Sequence, residues 1–384
     1  SVEAKAEFLR RELAPGRMRA PRGGLADHNG DGSIDWRDLT HHTERIYQLR
    51  DTDGDGTADR ITVFAEGFNT EVTGIAAGVL WHDGWVYATI APDLWRFRDF
   101  NEVGDLIGVD NDADQPGERE RFVHLVEGSD SGWRCNYQYM GMRSPWMREG
   151  LWKPHFAGQA AYLLPPLLSY SDGPAGFKYN PGTALGEAQR GTFLLNEFPS
   201  GKLRAFGAEP VGATYRMVDA RVLNEGVMGI GVAWHPDGSL FMADWIGGYP
   251  LDGLGAVWRV DARENARDPR REETRAILVD GFGNRAPLEL LGLLGHADQR
   301  VRQGAQFELA RRGRKTELLA VARGATVHPF ARLHALWGYG QLLRRGAAEA
   351  AALMPLLKDE DSEMRAQTAK VLGDAAAPRR RSWP

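Results

Sequence analysis

The sequence predicts a multidomain chain, β then α: a β-propeller followed by a short HEAT-like α-solenoid. Three observations carry that prediction. From Ile61 to about Val260, short β-type runs (ITVFAEGF, WVYATI, RFVHLV, GTFLLNEF, GKLRAFG, SLFMADW, AVWRV) are punctuated by Gly, Pro and Asp, the texture of antiparallel strands joined by tight turns. Within that region GIAAGVLWHDGWVYATIAPDLWRFRD and GIGVAWHPDGSLFMADWIGGYPLDGLGAVWRVD are one unit written twice, and a looser copy runs through GFKYNPGTALGEAQRGTFLLNEFPSGKLRAFG. Such repetition of antiparallel units is how a propeller protects its strand edges. Further on, Val301-Arg302-x-x-Ala305, Ala331-Arg332-x-x-Ala335 and Met364-Arg365-x-x-Thr368 recur 30 and 33 residues apart, the spacing of a helical-hairpin repeat.

In order, residues 1–26 read as an N-terminal helix, stopped by Pro15 and Gly16, and a linker. Residues 27–260 are the propeller, opened by two acidic loops. The stretch LTHHTERIYQL after the first loop reads as a short exit helix, with a strand lead as the alternative. Residues 261–286 are charge-dense and apolar-poor, a solvated connector. Residues 287–376 are the helical repeats, in which Asp298 and Asp361 cap helices and the repeat arginines stay on the polar flank. Residues 377–384 are a frayed tail.

Bulk composition bounds the function classes. A net charge of -5 gives no basic field for nucleic acid, and no apolar run reaches the ~18 residues of a membrane span. The single cysteine, Cys135, excludes an internal disulfide, a multi-thiolate zinc cluster and a C-x-x-C-H haem attachment, so no haem c sits on this chain. No secretory signal precedes Ser1, so an exported protein is read here as its mature form. Three motifs of common enzyme classes, the G-x-S-x-G elbow, the P-loop and the dinucleotide fingerprint, do not occur.

The acidic loops point to calcium. Asp27, Asn29, Asp31, Ser33, Asp35 and Asp38 stand at positions 1, 3, 5, 7, 9 and 12 around Gly32, the oxygen spacing of an EF-hand-like loop. The shorter Asp38 replaces the bidentate Glu of the twelfth position. Asp51, Asp53, Asp55, Thr57 and Asp59 repeat the series around Gly56, but Thr62 at the twelfth position cannot close it. Asp110, Asp112 and Asp114 alternate again in VDNDADQPGERER. Loops of this weak design fill where calcium is millimolar, which places the protein in the periplasm or otherwise outside the cytoplasm.

Four stretches resemble a known family: LRDTDGDGTADRITVFAEGFNTEVTGI, VDNDADQPGERERFVHLVEGSDSGWRCNYQY, LWKPHFAGQAAYLLPPLLSYSDGPAGFKYNPGTAL and GVAWHPDGSLFMADWIGGYPLDGLGAVWRV. They are similar to the membrane-bound dehydrogenase-like or PVC-type haem-binding proteins, relatives of quinoprotein glucose and sorbosone dehydrogenases. The resemblance implies a six-bladed propeller, HEAT repeats and, in many relatives, a C-terminal cytochrome c. Here the cytochrome is missing, and at ~40–50 residues per blade residues 27–260 supply about five blades. The ring is therefore either shortened or incomplete in this chain.

The resemblance also implies that pyrroloquinoline quinone (PQQ) would lie near Asp130, Trp133 and Arg134, beside calcium on the Asp110–Asp114 loop. Asp172 in SDGPAG, and Asp244 and Trp245 at the head of a loop without counterpart in the other copy, are further cofactor-binding candidates. No catalytic base stands out. His82 and His235 sit before equivalent turns and read as structural. Three functions follow. The first is a calcium-stabilised subunit linked to electron transfer, whose partner is a cytochrome or a membrane electron-transfer complex. The second is an active PQQ-dependent sugar or alcohol dehydrogenase passing electrons to a cytochrome c. The third is a purely structural protein-binding platform.

Overall fold

A computed structural model describes residues 26–50, 59–69, 76–82, 85–90, 99–100, 103–109, 120–126, 155–160, 167–170, 173–247 and 254–376, with isolated positions elsewhere. The expected N-terminal helix lies outside them except at Glu7, Arg10 and Arg11, which are helical, and the tail lies outside them entirely. The chain divides into two compact units: Ser1–Arg98 with Gly128–Pro165, and Asp99–Glu127 with Pro166–Pro384.

In the first unit a five-residue 3-10 helix, Trp36–Thr40, follows the first acidic loop. Strand β1 (Glu44–Arg50) then pairs antiparallel with β2 (Arg60–Phe68), Tyr47 opposite Val63 and Leu49 opposite Ile61. The expected exit helix is thus only WRDLT. ERIYQLR is a strand, since Ile46, Tyr47 and Leu49 find cross-strand partners in Ala65, Val63 and Ile61 of β2, and pairing overrides local helix propensity. Strands β3 (Ala76–His82) and β4 (Trp85–Ile90) form the hairpin expected around Asp83-Gly84.

The second unit holds three antiparallel sheets followed by helices. Strands β5 (Asp99–Phe100), β6 (Leu106–Val109), β7 (Arg121–Leu125) and β8 (Leu168–Ser169) form one sheet in chain order. Strands β9 (Pro174–Tyr179), β10 (Thr192–Glu197), β11 (Lys202–Val211) and β12 (Thr214–Glu225) form the second, and β13 (Gly229–Trp234), β14 (Leu240–Asp244) and β15 (Ala256–Val260) the third. The middle sheet is a shared wall. Side chains alternate across a strand, so Phe193 and Leu195 of β10 enter an aromatic core with Ile107, Phe122 and Phe206. Leu194 enters the opposite core with Leu203, Ala205 and Leu240. All six β10 residues are buried.

Helices α1 (Pro269–Asp280), α2 (Pro287–Leu293), α3 (Gln299–Arg311), α4 (Lys315–Arg323), α5 (Pro329–Arg344) and α6 (Ser362–Ala376) follow. Where charge density reads as a solvated connector, the chain forms α1. Its polar sequence carries one buried arginine, Arg271, which grips Asp261 at 2.8 and 3.0 Å and the Asp237 carbonyl at 2.6 Å. The helices dock on the sheets through hydrogen bonds from both main chain and side chains. Gln299 N donates to Pro181 O at 2.7 Å, the Thr183 hydroxyl donates to Asp298 at 2.6 Å, and Arg300 reaches His235 O at 2.7 Å.

The repeat spacing lands in α3, α5 and α6, whose Leu309, Leu333, Leu336 and Met364 share one core. Asp298 caps α3, as its spacing predicts, and Asp361 accepts from Glu363 N at 2.8 Å. Of the repeat arginines, Arg365 is exposed, as on a polar flank, but Arg302 and Arg332 are buried. Arg302 is fully buried and donates to His296 O and Ala297 O, six and five residues back, at 2.8 and 3.0 Å. Arg365 repeats that grip on Asp359 O and Glu360 O at 2.7 and 2.9 Å. Arg332, also buried, turns to Ala322 O at 3.0 Å and to Asp359. Each guanidinium ties off carbonyls that a helix end or loop leaves unpaired, and for Arg302 and Arg332 these bonds offset the cost of burial.

One buried histidine makes this core pH-sensitive. His334 lies between Arg302 Nε (3.2 Å, donating to Nε2) and Gln306 Oε1 (2.8 Å, accepting from Nδ1), so the neutral ring satisfies both partners. Burial first, then the Arg302 charge, hold its pKa well below 6.5. Burial likewise lowers His296. The unfolded chain takes up protons below about pH 6.5 while the folded chain does not, so stability falls with falling pH, by up to about 1.4 kcal/mol per pH unit for each such group. Urea midpoints at pH 7.5 and 5.5 are expected to drop accordingly, and to drop less in His334→Gln. Equal drops in both proteins would remove His334 from the explanation.

Candidate functional site

The first acidic loop has the internal bonding its spacing demands. Asp27 accepts from Asp31 N at 3.1 Å and Gly32 N at 2.9 Å, and Gly32 turns at φ 84°. Asn29 Oδ1 accepts from Asp31 N at 2.9 Å, and Asp31 accepts from Ser33 N at 2.9 Å. Asp38 is 2% exposed and spends both oxygens on main chain: His28 N at 2.8 Å, Asn29 N at 3.2 Å and Asp35 N at 2.9 Å. Burial pushes its pKa up, but the N–H groups of Asp35, Asn29 and His28 outweigh that and hold it below the usual range. Asp35 is fully buried, caps the 3-10 helix at Arg37 N, and is held well below the usual range chiefly by the Arg37 guanidinium.

The donors are all oxygen, as calcium requires. Arg37, however, lies among them, bonded to Asp35, to Ser33 Oγ at 3.0 Å and paired with Asp31 at 3.3 Å. Among the described residues no three His, Cys, Asp or Glu side chains are gathered round one point. The fit is therefore one of donor type and loop frame. Asp27, Asn29, Asp31, Ser33 and Asp35 are the residues that would hold calcium, with Arg37 turned away, while Asp38 frames the loop.

Of the second loop, Asp59 is described. It accepts from Thr52 N at 3.2 Å and from the Thr52 hydroxyl at 2.5 Å, closing the neck of the loop. Asp51, Asp53, Asp55 and Thr57 lie outside the described residues, as do Asp110, Asp112, Asp114, Asp130, Trp133, Arg134 and Asp172.

Asp244 and Trp245 come together with residues the sequence did not single out. Trp258 Nε1 donates to Asp244 Oδ2 at 2.8 Å, and the Trp245 ring stacks on Phe198 at 5.5 Å. Asp244 pairs across the ladder with Gly229, and a Cβ on Gly229 would stand 2.5 Å from the Asn196 amide nitrogen. The Asn196 amide thus lies against the start of β13, one strand away from Asp244. Asn196 is 1% exposed and, among the described residues, neither end of its amide has a hydrogen-bond partner. Leaving such a group unsatisfied costs about 1–3 kcal/mol. The available signal was the polar Asn196-Glu197 pair ending an apolar strand. Glu197, on the opposite face, is 3% exposed and paired with Arg204 at 2.6 Å.

The described histidines of the second unit have structural partners. His235 forms its turn with Ser239 and pairs with Asp237 at 2.9 Å, His328 caps α5, and the His124 ring meets Tyr215.

The family model of a domain of unknown function, DUF7133, matches residues 24–111, which take in both acidic loops and β1 to β6. No curated protein matches. A solved structure described as an oxidoreductase (glucose dehydrogenase) from Thermus thermophilus is 16% identical with a TM-score of 0.29, over 48% of this chain and 44% of that one. The likeness is weak, and this chain spans less than half the length of that protein. No helix among the described residues is long and apolar enough to cross a membrane.

Proposed function

We propose that this chain is a calcium-stabilised platform of propeller blades and HEAT-like repeats that works outside the cytoplasm as a subunit linked to electron transfer. The observation that carries the calcium part is the loop from Asp27 to Asp38, where every ligand position is filled and the turn is already framed by Asp38. The sequence resemblance to quinoprotein dehydrogenase-like proteins supports the link to an electron carrier, and the structural commitments of the described histidines of the second unit favour a subunit over an enzyme with its own base there. Calcium at 100 times its dissociation constant adds about 2.7 kcal/mol to the folded state. The melting temperature is therefore expected to fall in EDTA and to recover with calcium but not magnesium. An unchanged melt ends the calcium reading.

A PQQ-dependent dehydrogenase is the second reading, favoured by the buried Asn196 amide against the start of β13 and by the Trp245–Phe198 stack. In it Asp244 and Trp245 would help hold the quinone, which supplies the two-electron oxidation. Protein reconstituted with PQQ and calcium that neither gains quinone absorbance nor reduces a dye across a panel of sugars and alcohols would exclude it.

A further inference from the structure

Three imidazoles beside the first acidic loop are used by none of the readings above. His28 occupies the second position of the loop, which supplies no cation ligand, and His41 and His42 follow the 3-10 helix. The structure brings them together. The His28 and His42 rings meet at 4.9 Å and 72°, and the His42 and His41 rings at 4.8 Å and 81°. All three side chains are exposed. Among the described residues none of their ring nitrogens takes part in a hydrogen bond or ion pair, in contrast to His124, His235, His328 and His334.

One residue sets their spacing. Asp38 accepts from His28 N through its carboxylate at 2.8 Å and from His41 N through its carbonyl at 3.3 Å. Two backbone positions thirteen residues apart in sequence are thereby tied to a single buried aspartate. The rings rest edge to face, and their nitrogens are not gathered on one point. Exposed histidines reach other staggered rotamers by turning about χ1 and χ2, and these turns leave the anchored backbone in place.

We infer that His28, His41 and His42 form a binding site for a late first-row divalent cation of the zinc, copper or nickel class. Neutral imidazole is the ligand these ions favour, and three imidazoles leave a position open for water or a fourth donor. The chemistry is separate from that of the neighbouring loop: oxygen donors select a hard cation, nitrogen donors a borderline one. An ion held here would pin the start of the acidic loop to the residues leading into β1.

Zinc is the probe. The full chain, with calcium and magnesium in excess to occupy oxygen sites, is titrated with Zn²⁺ against a chromophoric chelator at pH 7.5. The same titration is run on His42→Gln and on the triple variant H28Q/H41Q/H42Q, with circular dichroism showing that each is folded. The wild type is expected to take up one equivalent. His42→Gln should bind at least the roughly 10- to 100-fold more weakly that loss of even a supporting partner costs a metal site, and the triple variant should lose that equivalent. No zinc uptake by the wild type, or equal uptake by wild type and triple variant, overturns the site. Because calcium is present throughout, this outcome is independent of whether the acidic loop binds it.

Discussion

Arg302→Ala is expected to destabilise the helical repeats by about 3–5 kcal/mol, the range for removing one partner from a buried charged network. The guanidinium is fully buried, donates to two loop carbonyls and to His334, and lies 4.6 Å from the Phe330 ring. Alanine leaves those acceptors unpaired and opens a void besides. Arg302→Lys should recover only part of the loss, because an ammonium cannot span three divergent acceptors. Arg311, 64% exposed and paired with Glu308 at 2.6 Å, is the control. Its alanine variant should cost no more than about 1 kcal/mol. If urea denaturation followed by circular dichroism places the two variants within about 1 kcal/mol of each other, the repeat arginines are not structural grips.

The second large effect is expected at the joint between sheets and helices. Gly182 has φ 117°, and a Cβ there would stand 2.3 Å from Ala297 O. Neither the carbonyl nor the adjoining Gln299–Pro181 bond can retreat without loosening the docking. Backbone strain of ~1–3 kcal/mol and overpacking of ~1–3 kcal/mol combine to give roughly 2–5 kcal/mol for Gly182→Ala. Gly212 has φ 62° and open space where its Cβ would be, so Gly212→Ala isolates the strain component. Thermal melts should put Gly182→Ala well below Gly212→Ala, and coincident melts would mean that the close approach is absent in solution.

Much of this architecture was legible because its determinants are local. TFLLNEF announces a buried strand by continuous apolar character, Asp237-Gly238 announces its turn, and the recurrence of arginine after an apolar residue located α3, α5 and α6. The acidic pattern of the first loop was legible because most of its bonding joins side chains to groups two to five positions away, whereas the Asp38 bonds to His28 N and Asn29 N span ten and nine residues. What escaped depends on partners distant in sequence. Arg271 and Arg302 look like surface arginines until the carbonyls they reach are in place, and α1 looks like solvated chain until Asp261 and Asp237 receive it. ERIYQLR needed β2 opposite it to become a strand. Asn196 ends an apolar strand run, and only the approach of Gly229 shows that its amide is enclosed. His28 and the His41–His42 pair were separated by the loop that joins them.

The shared wall formed by β10 has a consequence for how the second unit comes apart. Because alternate residues of one six-residue strand fill two different cores, neither core can melt while the other keeps its packing. Those two layers therefore belong to a single cooperative unit, and their amides should exchange with solvent at one common free energy of opening. The overhanging tip of the β11–β12 hairpin, where Val211 is half exposed and β10 no longer reaches, should exchange far faster than the wall it extends from.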